Sequence, residues 1–163
     1  MSEARAAVAE LYAACAPRLV GTLALAAGSR AEAEECVQDA FLRLLPRWSR
    51  VSRYDDPEAW VRAVAFRLLS NRRRKARNGL RALVRLGPVH DVPAPDPTRL
   101  DVLQALRRLP VHQRQVIVLH HLVGLPIEDV ATALDIAPGT VKSRLARGRN
   151  ALAPLLREEV PHA

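Results

Sequence analysis

Four prolines, Pro88, Pro93, Pro95 and Pro97, fall within the stretch from Gly87 to Thr98, a density that no continuous helix tolerates. Each removes a main-chain donor and fixes φ, so the stretch separates whatever folds on either side of it. The expected organisation is a front domain over residues 1–86, a flexible linker over 87–98 and a back domain over 99–163. Phe and Tyr supply only two residues each, which leaves Ala, Leu and Val to fill the cores. With few β-branched runs and little strict alternation, this composition favours packed helices over sheets. The expected fold is therefore all-α: two small helical domains joined by a flexible linker, the second containing a helix-turn-helix.

Hydrophobic spacing outlines the helices. From Glu3 to Ala26, the residues Ala7, Leu11, Ala14 and Leu19 approximate one packed face, and Pro17 predicts a bend or break within it. Ser29 and Glu32 form a capping box ahead of an apolar stripe of Val37, Ala40, Phe41, Leu44 and Leu45, which Pro46 ends. Asp56-Pro57-Glu58 opens another helix, because Asp accepts orphan amides and Pro fits the first turn. There Trp60, Val61, Val64, Leu68 and Leu69 point inward, while Arg62, Arg67, Arg72, Arg73 and Arg74 approach solvent. In the back domain, Leu100, Leu103, Leu106 and Leu109 mark one helix and Val116, Ile117, Leu119 and His120 the next. After Gly124 and Pro126 comes a helix over Ile127 to Leu134, a turn over Asp135 to Ala137 and a last helix from Pro138.

The formal charge is +8, from 25 basic and 17 acidic side chains, and it is unevenly spread. Between Ala59 and His90 there are nine basic residues and no acidic one, which suits a polyanion. The run Pro138-Gly139-Thr140-Val141-Lys142-Ser143-Arg144 reads as the second helix of a helix-turn-helix, with Val130 and Leu134 facing Val141 and Leu145. A recognition helix needs an apolar stripe for docking, here Val141, Leu145, Gly148 and Leu152. Opposite it lie Gly139, Ser143, Ala146, Arg147 and Asn150 for the major groove. Lys142, Arg144 and Arg149 flank that surface for phosphates, Arg147 is the leading base-edge reader, and Thr140 serves either as a cap or as a phosphate contact. In the front domain, Tyr54, Trp48 and Trp60 lie near basic residues and offer stacking faces for exposed bases, but the two tryptophans fit core packing better than base contact, which leaves Tyr54 as the freer candidate.

No spacing supports bond-breaking chemistry. There is no paired carboxylate and base, no phosphate-cradling loop and no His/Cys metal cluster, so neither a catalytic residue, a metal nor a cofactor is expected. Cys15 and Cys36 are too far apart in sequence to suggest a disulfide framework, and both are expected against small core residues. His120 and His121 are adjacent rather than one turn apart, which fits packing better than ligation. With no uninterrupted apolar run near eighteen residues and no export-signal pattern, a cytoplasmic chain without membrane insertion is expected.

These features resemble the extracytoplasmic-function group of bacterial RNA polymerase sigma factors, within the sigma-70 superfamily and especially its compact actinobacterial SigE-like type. The front resemblance covers about Leu11 to Arg77, through Glu32-Ala33-Glu34-Glu35-Cys36-Val37-Gln38-Asp39-Ala40-Phe41 and the helix from Trp60 to Arg74. The back resemblance covers about Leu106 to Leu152, through Leu109-Pro110, Gln113-Arg114, Gly124-Leu125, the Glu128-to-Leu134 helix and Gly139 to Arg144. It implies a non-catalytic, dissociable initiation subunit. The front domain would bind the polymerase clamp and capture the opened −10 strand; the back domain would bind the flap and read the −35 duplex. By position, Glu35, Gln38, Asp39, Phe41, Leu42 and Arg43 would face the clamp, with Asp39 and Arg43 as exposed ion-pair formers and Phe41 equally suited to the core. Arg50, Ser52, Arg53, Tyr54, Asp55, Trp60, Arg67, Asn71 and Arg74 would contact −10 DNA. Thr140, Lys142, Ser143, Arg144, Ala146 and Arg147 would contact −35 DNA. The chain departs from the family pattern at Arg67, where Asn is frequent, at Asn71, where an acid is common, at Ala137, where a capping Ser is frequent, and at Asp135, which replaces a turn Gly. An anti-sigma factor is a candidate partner, and nucleoid association would accompany transcription.

Two other readings fit parts of the chain. An ordinary helix-turn-helix regulator would protect duplex DNA without opening it. A polymerase-associated adaptor for protein or RNA would bind polymerase without selecting promoters.

Overall fold

The computed structural model describes residues 2–78 and 97–157, and within them every regular element is helical. Helix α1 (Ser2–Ala27) and α2 (Arg30–Leu44) are followed by a 3₁₀ turn (Leu45–Arg47), a short α3 (Trp48–Val51) and the long α4 (Pro57–Asn78). Then come α5 (Pro97–Arg107), α6 (Val111–Ile117), a π-helical turn (Val118–Leu122), α7 (Ile127–Leu134) and α8 (Pro138–Arg157). Most of the proline-rich connection, residues 87–96, lies outside the described residues, as do the side chains of Arg77, Arg81, Arg85 and Leu100. Its last two residues, Pro97 and Thr98, already belong to α5, where Pro occupies a first-turn position that needs no amide donor.

Helix α1 corrects two expectations. It continues through Pro17, which lies on the exposed side next to Ala13 and Ala14, where water can serve the carbonyl that loses its amide partner. Its buried face is Val8, Cys15, Leu19, Leu23 and Ala26, rotated from the predicted stripe, so that Ala14 is exposed. With a mean hydropathy of 1.3 this helix is long and apolar enough to cross a bilayer, yet here that apolar side forms the core of a bundle with α2 and α4. Gly28 ends it in the left-handed region (φ 74), and its amide donates to Ala24 O at 2.8 Å.

The caps follow the sequence closely. Ser29 Oγ accepts from the Glu32 amide at 3.2 Å, and Asp56 Oδ1 accepts from the Ala59 amide at 3.0 Å. Only half of the capping box forms, because the Glu32 carboxylate accepts from Arg73 instead of from its own helix start. In α2, Val37, Ala40, Phe41 and Leu44 are buried but Leu45 is exposed, since the 3₁₀ turn rotates it off the stripe.

In the back unit, α7 and α8 occupy the predicted positions, and Val130, Leu134, Val141 and Leu145 are buried together. Gly148 permits α8 to approach α6 closely: a Cβ there would lie 3.1 Å from Ile117 Cγ1. The helix expected through His120 loosens into the π turn, whose extra residue places His120 Nδ1 2.7 Å from Leu125 O.

The two units are not separate bodies. Helices α1 and α4 pack against α6 and α7, and a single apolar cluster runs from Leu23 and Phe66 through to Val116 and Val130. Between them, Gln115 is 2% exposed, and its Nε2 donates to Phe66 O at 3.5 Å.

Candidate nucleic-acid interface

Helix α8 exposes four of the six residues expected to contact duplex DNA, Lys142, Ser143, Ala146 and Arg147. With Val141, Leu145 and Gly148 buried, the 3.6-residue period turns Gly139, Lys142, Ser143, Ala146, Arg147 and Asn150 to solvent. Thr140 is half-buried at the start of the helix, its amide donating to Ala137 O at 3.0 Å. Arg149 is drawn sideways, its Nε donating to His121 Nε2 at 3.0 Å. Burial, then the Arg149 charge, then His120 hold the His121 imidazole below its ordinary pKa, in the neutral form that can accept this bond. Arg144 departs from the predicted group: it is half-buried and faces the front unit.

The loop after α3 is anchored by Val51, 1% exposed, and closed by the Tyr54 amide donating to Val51 O at 3.0 Å. Arg50, Ser52, Arg53, Tyr54 and Asp55 all project to solvent from it, with Tyr54 39% exposed. Trp60, Arg67, Asn71 and Arg74 continue this surface along α4, since offsets of seven, four and three residues lie on one helical face. Trp48 and Trp60 are each half-buried against the core, leaving part of each ring outward.

A shallow groove of about 270 Å³ runs beside this stripe, lined by Arg43, Arg47, Trp60, Val64, Arg67 and Asn71. Arg43 thus lies beside the Trp60–Arg67–Asn71 stripe. Arg47 was missed by the sequence reading; its spacing of four from Arg43 was the available signal, carried across the 3₁₀ turn by its Nη1 donating to Arg43 O at 3.0 Å.

On α2, Glu35, Gln38, Leu42 and Arg43 form an exposed face in which Leu42 is 63% exposed, a costly position for a leucine without a partner. Phe41 is removed from this set: it is buried and meets Tyr12 edge-to-face at 4.9 Å. Asp39 and Glu35 are already paired within the chain. Arg72 forks between them, Nη1 to Glu35 Oε2 at 2.6 Å and Nη2 to Asp39 Oδ2 at 2.8 Å, and these bonds raise its pKa.

The basic run therefore divides. Arg72 and Arg73, expected at the solvent face, bolt α4 to the front bundle; Arg73 Nη2 donates to Glu32 Oε2 at 2.7 Å and to Ala27 O at 2.8 Å. Arg67 crosses to the back unit, its Nε donating to Ala133 O at 2.9 Å and its Nη2 to Thr132 O at 2.7 Å. Cys15 and Cys36 are buried, which pushes both thiols up to about 11 and keeps them protonated at neutral pH.

Comparison with known proteins adds sequence likeness on both units. Residues 11–79 match the family "Sigma-70 region 2", and residues 99–152 match "Sigma-70, region 4". The chain is 39% identical over 127 residues to the ECF RNA polymerase sigma factor SigM of Mycobacterium tuberculosis, covering 77% of this chain and only 64% of that relative. It is 31% identical over 131 residues to the RNA polymerase sigma-E factor of Streptomyces coelicolor, covering 79% of this chain and 72% of the relative. In fold it is similar to the sigma factor RpoE of Bartonella quintana, solved with the anti-sigma factor NepR, at a TM-score of 0.70 and 24% identity over 92% of this chain and 96% of that one.

Proposed function

Because this chain belongs to the extracytoplasmic-function group of the sigma-70 family, we propose that it is a promoter-specificity subunit of bacterial RNA polymerase acting in the cytoplasm. The observation that carries the reading is the presence of two exposed basic surfaces of different character: a docked recognition helix on α8, and an aromatic and basic loop-plus-helix surface on α3–α4. The first suits an intact major groove and the second an unstacked strand, which is the pairing that initiation requires.

The back unit, residues 99–163, reads the −35 duplex. Arg147 donates a bidentate pair to a guanine edge, Lys142 neutralises phosphate, Ser143 and Ala146 lie against base edges, and Thr140 approaches the backbone, while Arg144, turned toward the front unit, is left out of this set. The front unit, residues 1–86, holds the opened −10 strand. Tyr54 and the outward part of Trp60 stack on displaced bases, while Arg50, Arg53, Arg67 and Arg74 meet phosphates. Ser52, Asp55 and Asn71 offer hydrogen bonds to base edges, and Arg43 and Arg47 extend the cationic side of the groove. Binding to the separated strand offsets the stacking lost on opening. The α2 face of Gln38 and Leu42, flanked by Glu35 and Asp39, takes the polymerase clamp, and the back unit takes the flap. One polymerase engages both units at once, and the subunit itself supplies no bond-making chemistry. An anti-sigma factor is its proposed antagonist, since RpoE, a neighbour in fold, was solved with one.

The test adds the purified chain to bacterial core polymerase on a broad promoter library, with mapping of start sites and of unpaired −10 bases. New start sites with −10 opening are expected. Identical starts with and without the chain refute the proposal; duplex protection without opening moves the protein to the regulator class, and polymerase binding without selection to the adaptor class.

A further inference from the structure

We propose that the cleft bounded by α4, α6 and the α7–α8 turn is a binding site for a nucleoside di- or triphosphate, a ligand that promoter reading does not call for. The cleft holds about 380 Å³, within the range of about 300–1,000 Å³ usual for small-molecule sites. Arg67, Arg73 and Arg74 of α4 line it together with Arg144 of α8. Against these cations stands Asp135, the one carboxylate among the described residues that line the cleft.

The arginines of α4 have hydrogen-bond partners that leave much of their charge in place. Arg67 donates to the Ala133 and Thr132 carbonyls, and Arg74 Nη2 donates to Asn71 Oδ1 at 3.0 Å. All three acceptors are neutral oxygens, which occupy donors without cancelling positive charge. Arg73 does meet a carboxylate, that of Glu32, yet its Nε is buried without an acceptor. Behind it lies Arg114, 8% exposed and also with an unpartnered Nε. Burial first, and then the nearness of Arg73, lower the pKa of Arg114, the mark of cations crowded together with too little negative charge. A polyphosphate supplies both missing elements, acceptor oxygens for the guanidinium groups and negative charge for the field around them.

The remaining lining selects a nucleotide over a bare anion. Val111, Leu134 and Ile136 form an apolar part of the wall, and Ser70 and Gln115 beside them are already joined by a hydrogen bond of 3.0 Å. Inorganic phosphate or a polyphosphate would leave the apolar wall in contact with water. A nucleotide covers it with the base while its phosphates meet the arginines, so both halves of the lining are used.

The test is calorimetric titration of the full chain with ATP, GTP, tripolyphosphate and adenosine, without divalent metal and at about 0.15 M ionic strength, where attraction between exposed charges is screened. One equivalent of ATP or GTP should saturate the chain, tripolyphosphate should bind about tenfold more weakly, and adenosine should give no heat. Val111→Asp sets a carboxylate among the arginines and should weaken nucleotide binding about tenfold; an acid suits the first turn of α6, and circular dichroism checks that the fold is kept. Asp135→Asn removes the opposing charge at a left-handed position that Asn tolerates, and should tighten binding about threefold. Glu128→Gln makes the same change of charge on an exposed α7 residue outside the cleft and should leave binding unchanged. The site is overturned if neither nucleotide binds, if several equivalents bind, if tripolyphosphate binds as tightly as the nucleotides, or if Glu128→Gln tightens binding as much as Asp135→Asn. The last comparison decides the matter even where Val111→Asp does not fold. No DNA or polymerase enters these titrations, so a chain that directs initiation without binding nucleotide loses this site alone, and one that binds nucleotide without directing initiation loses the sigma reading alone.

Discussion

Helices α4 and α8 are both rich in arginine, yet they use it in opposite ways. On α8, an apolar stripe does the docking, so Lys142 and Arg147 are left exposed for a partner. On α4, Arg67, Arg72 and Arg73 each donate to acceptors on other helices, so much of the positive charge holds the protein together. A basic helix is thus a DNA surface only to the extent that the rest of the fold leaves its guanidinium groups available.

The sharpest test of that contrast is the inner side of α8. Leu145 is 1% exposed, and Leu145→Ala should lower unfolding free energy by about 2–5 kcal/mol in urea denaturation, because it leaves a cavity beneath α8. On the outer side, Arg147→Ala should reduce discrimination among −35 sequences by about 1–3 kcal/mol in competition binding, with the urea midpoint unchanged. A shift in the midpoint would mean that α8 also uses its outer charge internally. The opposite pattern is expected on α4. Arg72→Ala should cost about 1 kcal/mol of stability, a modest value because the Arg72 side chain is 32% exposed, with little change in −35 binding. Asp39→Lys sets a like charge against Arg72 and should impair polymerase assembly in pull-downs more than binding by α8, with a stability loss no greater than that of Arg72→Ala.

The smallest effect concerns pH. Because the folded state holds His121 below its ordinary pKa, its contribution is fully present above about pH 6.5 and is lost as the pH falls through the depressed folded value. Protonation removes the acceptor for Arg149 and adds a like charge. His121→Ala should therefore flatten a slight acid-side fall in Tm; an unchanged slope would show that the Arg149 contact contributes nothing.

Local chemistry made much of this legible in advance. Ser29 and Asp56 cap because a short oxygen side chain satisfies an orphan amide wherever it precedes a helical run, and the α7–α8 boundaries followed from Pro126, Pro138 and the spacing of Val130, Leu134, Val141 and Leu145. Pro17 misled because the cost of a missing amide depends on whether the freed carbonyl faces water, which sequence does not state. The exposed faces of the loop after α3 and of α8 were likewise readable from polarity and period.

The amino-acid order by itself determined the helical class, the helix-turn-helix and most of the exposed residues in the loop after α3 and on α8, since each depends on neighbours within a turn or two along the chain. Only the tertiary structure decided that Phe41 belongs to the core, that Asp39 and Glu35 share Arg72, and that Arg67 caps α7. Those partners lie tens of residues apart, and the acceptor that claims an arginine is set by which helix end the packing brings within hydrogen-bond reach.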